Sequence, residues 1–251
     1  MNKYKNMLVG KGFPFAIEEA FKEIRTNMLY TARDVKCPIY ALTSGLAHEG
    51  KSIVAANLAS SFAKLGKRVL LLDADLRNPT LHHIFSCDRS LGVSEIAAGI
   101  CKEPLSAVLH TEIEGLDLIP AGHIPPNPAE LLATTAFEEF LKSMQDCYDA
   151  IFIDFPPVGV VVDALIPAEL ITGYAVVVYA GLADRRAVAE TLASMKAVDA
   201  KVLGFILNGI DPKEGGYSRR ERKYRYKYSY KYGFYPGASA YGEQMKHEAE
   251  S

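Results

Sequence analysis

Ile39-Tyr40-Ala41-Leu42-Thr43-Ser44-Gly45-Leu46-Ala47-His48-Glu49-Gly50-Lys51-Ser52 is the stretch whose reading decides the fold. Its second half matches G-x-x-x-x-G-K-[ST] at every fixed position. The loop follows an apolar strand (Ile39 to Thr43) and opens an apolar helix, the context this pattern requires. Glycines allow backbone N–H groups to turn inward around phosphate oxygens. The helix N-terminus adds favourable partial charge. Lys51 is then placed to reach β and γ phosphates, and Ser52 to ligate Mg²⁺. The phosphate-binding set is read as Gly45, His48, Glu49, Gly50, Lys51, Ser52 and Ile53.

Outward from this loop, short apolar runs with little polar alternation predict strands buried on both faces. They are Ile39 to Leu42, Val69 to Leu72, Leu116 to Ile119, Ile151 to Ile153, Tyr174 to Tyr179 and Val202 to Leu207. Helical spacing is read between most of them, over Ser52 to Leu65, Ala129 to Met144, Asp163 to Ile171 and Arg185 to Val198. Alternating strands and helices predict an α/β domain, a P-loop NTPase fold with a mainly parallel central sheet flanked by helices. An amphipathic helix is expected over Ala16 to Ala32, with Ile17, Ala20, Phe21, Ile24 and Met28 on one face.

A phosphoryl-transfer site also needs carboxylates for the metal and the nucleophile. Two strand ends supply them. Val69-Leu70-Leu71-Leu72-Asp73-Ala74-Asp75 places two acids two residues apart, on one face if the strand continues. Ile151-Phe152-Ile153-Asp154 ends likewise. Ligands of open α/β sheets bind beyond the carboxyl ends of the strands, where the loop and all three aspartates fall. Asn208, at the end of the last strand, is read either as a contact to the base or as a turn residue before Gly209.

The formal charge of −2 excludes a strongly basic nucleic-acid binder, yet it averages two unlike parts. Lys213 to Tyr232 carries 8 Lys/Arg against 2 Glu, leaving −8 for the remainder, and 8 of the 14 Tyr lie in the last 35 residues. Segments 1–35, 36–211 and 212–251 are therefore read as an N-terminal helix region, a catalytic domain and a basic tyrosine-rich tail. In the tail, Lys223 to Tyr232 alternates Tyr with mostly basic residues. That pattern is compatible with an edge strand, with stacking on single-stranded nucleic acid and with an anionic lipid surface. The preferred reading is a disordered segment. The N-terminal residues show no leader pattern, no run is long enough to span a bilayer, and Cys37, Cys87, Cys101 and Cys147 form no C-x-x-C pair. These observations set the expectation of a cytoplasmic protein.

The residues resemble the bacterial protein-tyrosine kinases of the capsular and exopolysaccharide type over nearly the whole chain. Leu72-Asp73-Ala74-Asp75-Leu76-Arg77-Asn78-Pro79 carries the family's D-x-D-x-R-x-P core. Leu91-Gly92-Val93-Ser94-Glu95, Pro125 to Leu132 and Ile153-Asp154-Phe155-Pro156-Pro157 are further matches. The resemblance implies ATP and Mg²⁺ as cofactors and Lys51, Asp73, Asp75 and Asp154 as catalytic residues. Ser52, Asp75 and Asp154 would support the metal, and Asp73 would accept the tyrosine proton, with the division among the three aspartates open. It implies autophosphorylation of Tyr224, Tyr226, Tyr228, Tyr230, Tyr232 and Tyr235, in trans within an oligomer. It implies a ring-like homo-oligomer formed through Glu19, Lys22 and Arg25, a membrane-bound adaptor or co-polymerase protein, a cognate phosphotyrosine phosphatase, no nucleic acid, and a place at the inner face of the membrane through the adaptor.

Two positions depart from the family. Ala47-His48 stands where Pro-Gly is common, so that His48 either touches phosphate or points to solvent. Lys22 replaces an arginine of Glu-x-x-Arg-x-x-Arg and lacks its bidentate fork. The same N-terminal helix is equally readable as one packed on its own sheet. Two other function classes fit the loop. A partitioning or division-site ATPase is one, but its signature lysine would stand at Leu46. A regulator that binds nucleotide without turnover is the other, opposed by the intact Lys51, Ser52, Asp73, Asp75 and Asp154.

Overall fold

The computed structural model describes residues 7–8 and 15–210. In chain order it shows α1 (Phe15–Thr31), β1 (Ile39–Ser44), α2 (Lys51–Ala63), β2 (Val69–Asp73), α3 (Leu81–Phe85), α4 (Val93–Ala97), β3 (Leu109–His110) and β4 (Leu116–Ile119). There follow α5 (Pro128–Leu132), α6 (Thr135–Cys147), β5 (Ala150–Asp154), β6 (Gly173–Tyr179), α7 (Arg185–Ala197) and β7 (Val202–Asn208). The strands form one sheet in the order β3-β4-β2-β5-β1-β6-β7. All pairings are parallel except that of the short β3 with β4.

Side-chain alternation along the strands splits the interior into two layers. Tyr40, Leu42, Val69, Leu71 and Phe152 face the layer shared with α2 and Met28 of α1. There Tyr40, Phe62 and Phe152 form a ring cluster with centroids 4.9–5.7 Å apart. Ile39, Ala41, Leu70, Leu72, Ile151 and Ile153 face the other layer, closed by Phe137, Phe140, Leu141 and Met144 of α6 and Met195 of α7. With both faces covered, β1, β2 and β5 are buried from end to end. The sequence shows this as apolar runs without alternation.

All six expected strands form. The helices are less well anticipated. The single helix expected over Ala129 to Met144 is two, because Thr134 breaks the run and caps α6, its side chain accepting from Phe137 N. The helix expected over Asp163 to Ile171 is instead two 3₁₀ turns, Asp163–Leu165 and Ala168–Leu170. Pro167 accounts for this: it lacks the N–H that a continuous helix would need at that position, and its ring crowds the preceding turn. The short α3, α4 and β3 were not anticipated. Among the described residues no helix is long and apolar enough to cross a membrane. Tyr224, Tyr226, Tyr228, Tyr230, Tyr232 and Tyr235, and the disordered-tail reading with them, lie outside the described residues.

Candidate active site

β1, β5 and β2 end side by side, and their carboxyl ends carry the loop and the aspartates. Asp73 stands opposite Asp154 in the β2–β5 register. The loop from β1 enters α2 through Gly50 at φ 83°, with no side-chain cap. The first N–H groups of α2 thus lack an intrahelical partner, which makes this helix end an anion site. His48 also adopts a left-handed φ of 66°. This conformation favours glycine, the residue that the family resemblance leads one to expect at this position.

Buried groups hold the loop from behind. Glu49 is 1% exposed. Its carboxylate accepts from Leu46 N at 2.7 Å and Tyr179 N at 3.0 Å. The Asn208 amide donates to Glu49 O at 3.0 Å, and a methyl on Gly50 would run into that amide. Thr191 crowds Gly45 in the same way. Glu49 and Asn208 therefore brace the loop, and Asn208 Oδ1 is the end of that amide facing away from Glu49 O. His48 is exposed and Ile53 half-buried. Bracing by Thr191 and Tyr179 was missed in the sequence, where neither residue stands in a motif.

The Lys51 ammonium lies 2.8 Å from Asp75 Oδ2, 3.3 Å from Ser52 Oγ and 3.7 Å from Asp154 Oδ1. Burial alone would lower the Lys51 pKa, but Asp154 and Asp75 outweigh it and hold the pKa above the ordinary lysine value. Asp75 Oδ1 accepts from Asn78 N at 2.9 Å, so both of its oxygens are engaged. Asp73 is fully buried. Its Oδ2 accepts from Thr80 N and Leu81 N at 3.1 and 3.0 Å, and its Oδ1 from Asp75 N at 3.3 Å. Burial, followed by repulsion from Asp154, pushes Asp73 up to about 8. Asp154 is equally buried; among the described residues neither of its oxygens has a well-formed hydrogen bond, although the Ser52 hydroxyl and Lys51 ammonium lie near enough to favour its charge. Burial pushes it up to about 6 against the pull of Lys51.

The predicted catalytic set thus converges on one point. Glu19, Lys22 and Arg25 do not join it. Glu19 and Lys22 pair on α1 at 2.6 Å, while Arg25 Nη1 donates to Ser61 O at 2.6 Å and Ser61 Oγ at 3.1 Å.

The residues present fit Mg²⁺ and a polyphosphate. A buried carboxylate without a well-formed hydrogen bond among the described residues stands beside a hydroxyl, a second carboxylate and an uncapped helix end. Mg²⁺ keeps waters and binds through one or two carboxylates plus phosphate oxygens, and Asp75 and Asp154 beside the helix end can supply the carboxylates.

Fold and site together define a P-loop nucleotide-binding protein equipped for phosphoryl transfer. Residues 47–184 match the AAA domain family AAA_31. The chain is 36% identical over 192 residues to tyrosine-protein kinase YwqD of Bacillus subtilis, covering 76% of this chain and 80% of that one. The kinase domain of Escherichia coli tyrosine kinase ETK superposes with a TM-score of 0.75 at 29% identity, over 84% and 86% of the two chains. The chain belongs to this family of tyrosine-protein kinases. The septum site-determining protein MinD of Pyrococcus horikoshii OT3, complexed with Mg-ADP, shares the fold alone, at 23% identity and a TM-score of 0.61 over 74% and 76% of the chains.

Proposed function

We propose that the chain is an ATP-dependent protein-tyrosine autokinase. In this reading it transfers the γ-phosphate to tyrosines of its own C-terminal segment, Tyr224 to Tyr235, in trans within an oligomer, and so regulates capsular or exopolysaccharide synthesis. The observation that carries this reading is the Lys51 ammonium at the open end of α2, within 4 Å of both Asp75 and Asp154. Bound Mg²⁺ would neutralise phosphate charge, and Ser52, Asp75 and Asp154 would hold it directly or through water.

The chain's residues then divide the work. Backbone N–H groups of Gly50 to Ile53 bind phosphate oxygens, with His48 at the rim. Lys51 leaves Asp75 for the β and γ phosphates and stabilises charge gathering there. As the tyrosine oxygen bonds to the γ-phosphorus, the bond to the β–γ bridging oxygen breaks and ADP departs. The phenolic proton needs an acceptor, since the hydroxyl ionises only near pH 10. Asp73 is assigned that role: its pKa, pushed up to about 8, brings its basicity nearer that of the phenol, and cation charge brought to the site would favour its ionised form. Three of the roughly four acceptor positions of a carboxylate are filled by backbone donors, leaving one for the proton. Asn208 Oδ1 is assigned to the base.

Each phosphate adds about −1.5 to −2 charge, so three or four would cancel or invert the +6 of Lys213 to Tyr232 and favour separation of subunits. Glu19, Lys22 and Arg25 would serve a ring-like oligomer, and a membrane-bound adaptor and a phosphotyrosine phosphatase would complete the cycle at the inner membrane face. The division-site ATPase reading has less support, given Leu46 and the lower identity to MinD.

The test is mass spectrometry of the C-terminal segment after incubation with ATP and Mg²⁺. Wild type should carry phosphotyrosine, and Lys51→Met should carry about 10²–10³-fold less. Equal phosphorylation in the variant would end the kinase reading.

A further inference from the structure

One charged pair beside the site has no part in the reading above. Asp163 is fully buried, yet no catalytic role requires it. Both of its oxygens are taken by one side chain: Arg77 Nε donates at 2.8 Å and Nη2 at 2.9 Å. This is a fork-on-fork pair that fixes direction as well as distance. A surface arginine would gain little from such a partner. A buried carboxylate is costly unless its oxygens are satisfied, and Arg77 satisfies both.

What the pair connects gives it meaning. Asp163 opens a 3₁₀ turn that is itself pinned, because Tyr174 Oη donates to Ala164 O at 2.8 Å from within the core. Asp163 is therefore an anchor. Arg77 lies two residues after Asp75, in the segment between β2 and α3. That segment is tied at one end by Asp73, which accepts from Thr80 and Leu81 N. Internally it is closed by Asp75 Oδ1 on Asn78 N. At its start Ala74 N donates to Asp154 O at 2.9 Å, which fixes the backbone at the end of β2. None of these ties reaches the chain beyond β5. Arg77–Asp163 does, and so links the far side of Asp75 to the segment that follows Asp154. Asp75 Oδ2 meets Lys51 at 2.8 Å while Asp154 lies 3.7 Å from the same ammonium, so a small shift of this segment changes the spacing of all three groups.

We propose that Arg77 and Asp163 form a positioning pair that sets where Asp75 stands relative to Lys51 and Asp154. The inference rests on the kinase reading for its consequence, since Asp75 is assigned there to the metal. Loss of the fork then weakens metal use more than nucleotide binding.

The experiment uses the full chain carrying Arg77→Lys, which keeps the charge and loses the fork. Half-saturating Mg²⁺ for tail phosphorylation should rise and kcat should fall, each about tenfold, as for other residues that orient metal ligands. KM for ATP should stay within about threefold. In nucleotide-free protein, amide exchange should quicken over residues 75–80 while β2 and α2 keep their protection. A double variant, Arg77→Ala with Asp163→Ala, should be no slower than the worse single variant, because the two act as a unit. An unchanged Mg²⁺ requirement and unchanged exchange would overturn the proposal. So would exchange rising equally in β2 and α2 with activity lost in proportion, the mark of a purely structural pair. If wild type forms no phosphotyrosine, the kinase reading fails instead, and the exchange measurement still decides whether the pair holds this segment.

Discussion

The ends of β2 and β5 present two carboxylates in register, Asp73 and Asp154, each fully buried. Their surroundings differ. Three backbone N–H groups converge on Asp73, while among the described residues no backbone donor reaches the Asp154 carboxylate, which has only the side chains of Lys51, at 3.7 Å, and Ser52 acting on it. A fold that only needed buried acids to be tolerated would satisfy both. The difference shows that the turn after β2 is built around Asp73, whereas the place beside Asp154 is left for something that arrives. Asp154 stores a desolvation cost that a bound cation relieves, a common price of a prepared site.

The sharpest way to break this comparison is to remove each charge in turn. Asp154→Asn should lower tail phosphorylation about 10²–10³-fold, the scale of losing one preorganised electrostatic group. The same change should raise the melting temperature of nucleotide-free protein at pH 8 by about 2–4 °C, equivalent to about 1 kcal/mol. It removes a poorly satisfied buried charge, and Lys51 keeps Asp75 as partner. Asp73→Asn should do the opposite to stability. An amide offers one acceptor oxygen where three donors converge, at a cost of about 1–3 kcal/mol. Calorimetry of the two variants checks this, and melting shifts of the same sign would erase the distinction.

A smaller effect is expected from pH. Both folded pKa values lie above the ordinary 3.8, near 8 for Asp73 and near 6 for Asp154. The native state then binds protons more tightly than the unfolded chain across that interval. Stability from these groups is full below about pH 4 and is lost as pH rises through 6 and then 8. Other shifted groups act more weakly between pH 6.5 and 8.5. His82, held near 4 by burial, adds a partly opposing rise only near pH 6.5, where its unfolded form still loses its proton. Cys37 and Cys87, both raised by burial, add to the fall only toward 8.5, and the lowered Glu95 and Asp149 act only toward acid. Nucleotide-free protein should therefore melt at progressively lower temperature from pH 6.5 to 8.5, and Asp73→Asn should flatten that slope. A rising or level wild-type curve would contradict the assignment.

β1, β2 and β5 were legible because burial on both faces leaves short apolar runs bounded by turns; β7 was read the same way and forms, but as an edge strand with Phe205 and Leu207 exposed rather than one buried on both faces. The phosphate loop and its aspartates were legible because glycine, lysine and acid at fixed spacing have few other uses. What escaped were long-range partners. Nothing in the spacing of Glu49 and Tyr179, 130 residues apart, or of Arg77 and Asp163, 86 apart, announces a bond. Asp163 left one trace, a charge ending the apolar run Val160-Val161-Val162. The helix expected over Asp163 to Ile171 failed because apolar spacing was weighed above Pro167.

The contrast between a satisfied charge and an available one recurs on α1 at lower stakes, and there the smallest effects are expected. Arg25 is held by its own chain, through Ser61 O and Oγ. Glu19 and Lys22 hold each other at the surface, with the lysine side chain 50% exposed, and Glu19 also acts on the Arg25 charge. Arg25→Ala should cost about 1–2 kcal/mol, because a charged donor is lost from the carbonyl and hydroxyl of the buried Ser61. Lys22→Ala should cost at most about 0.5 kcal/mol, the worth of an exposed pair on a helix. Urea midpoints at low protein concentration give both numbers. If α1 also joins subunits, Lys22→Ala should additionally weaken self-association in sedimentation at a concentration where its fold is untouched. A loss of assembly that follows unfolding in both variants would instead leave α1 as a helix serving only its own sheet.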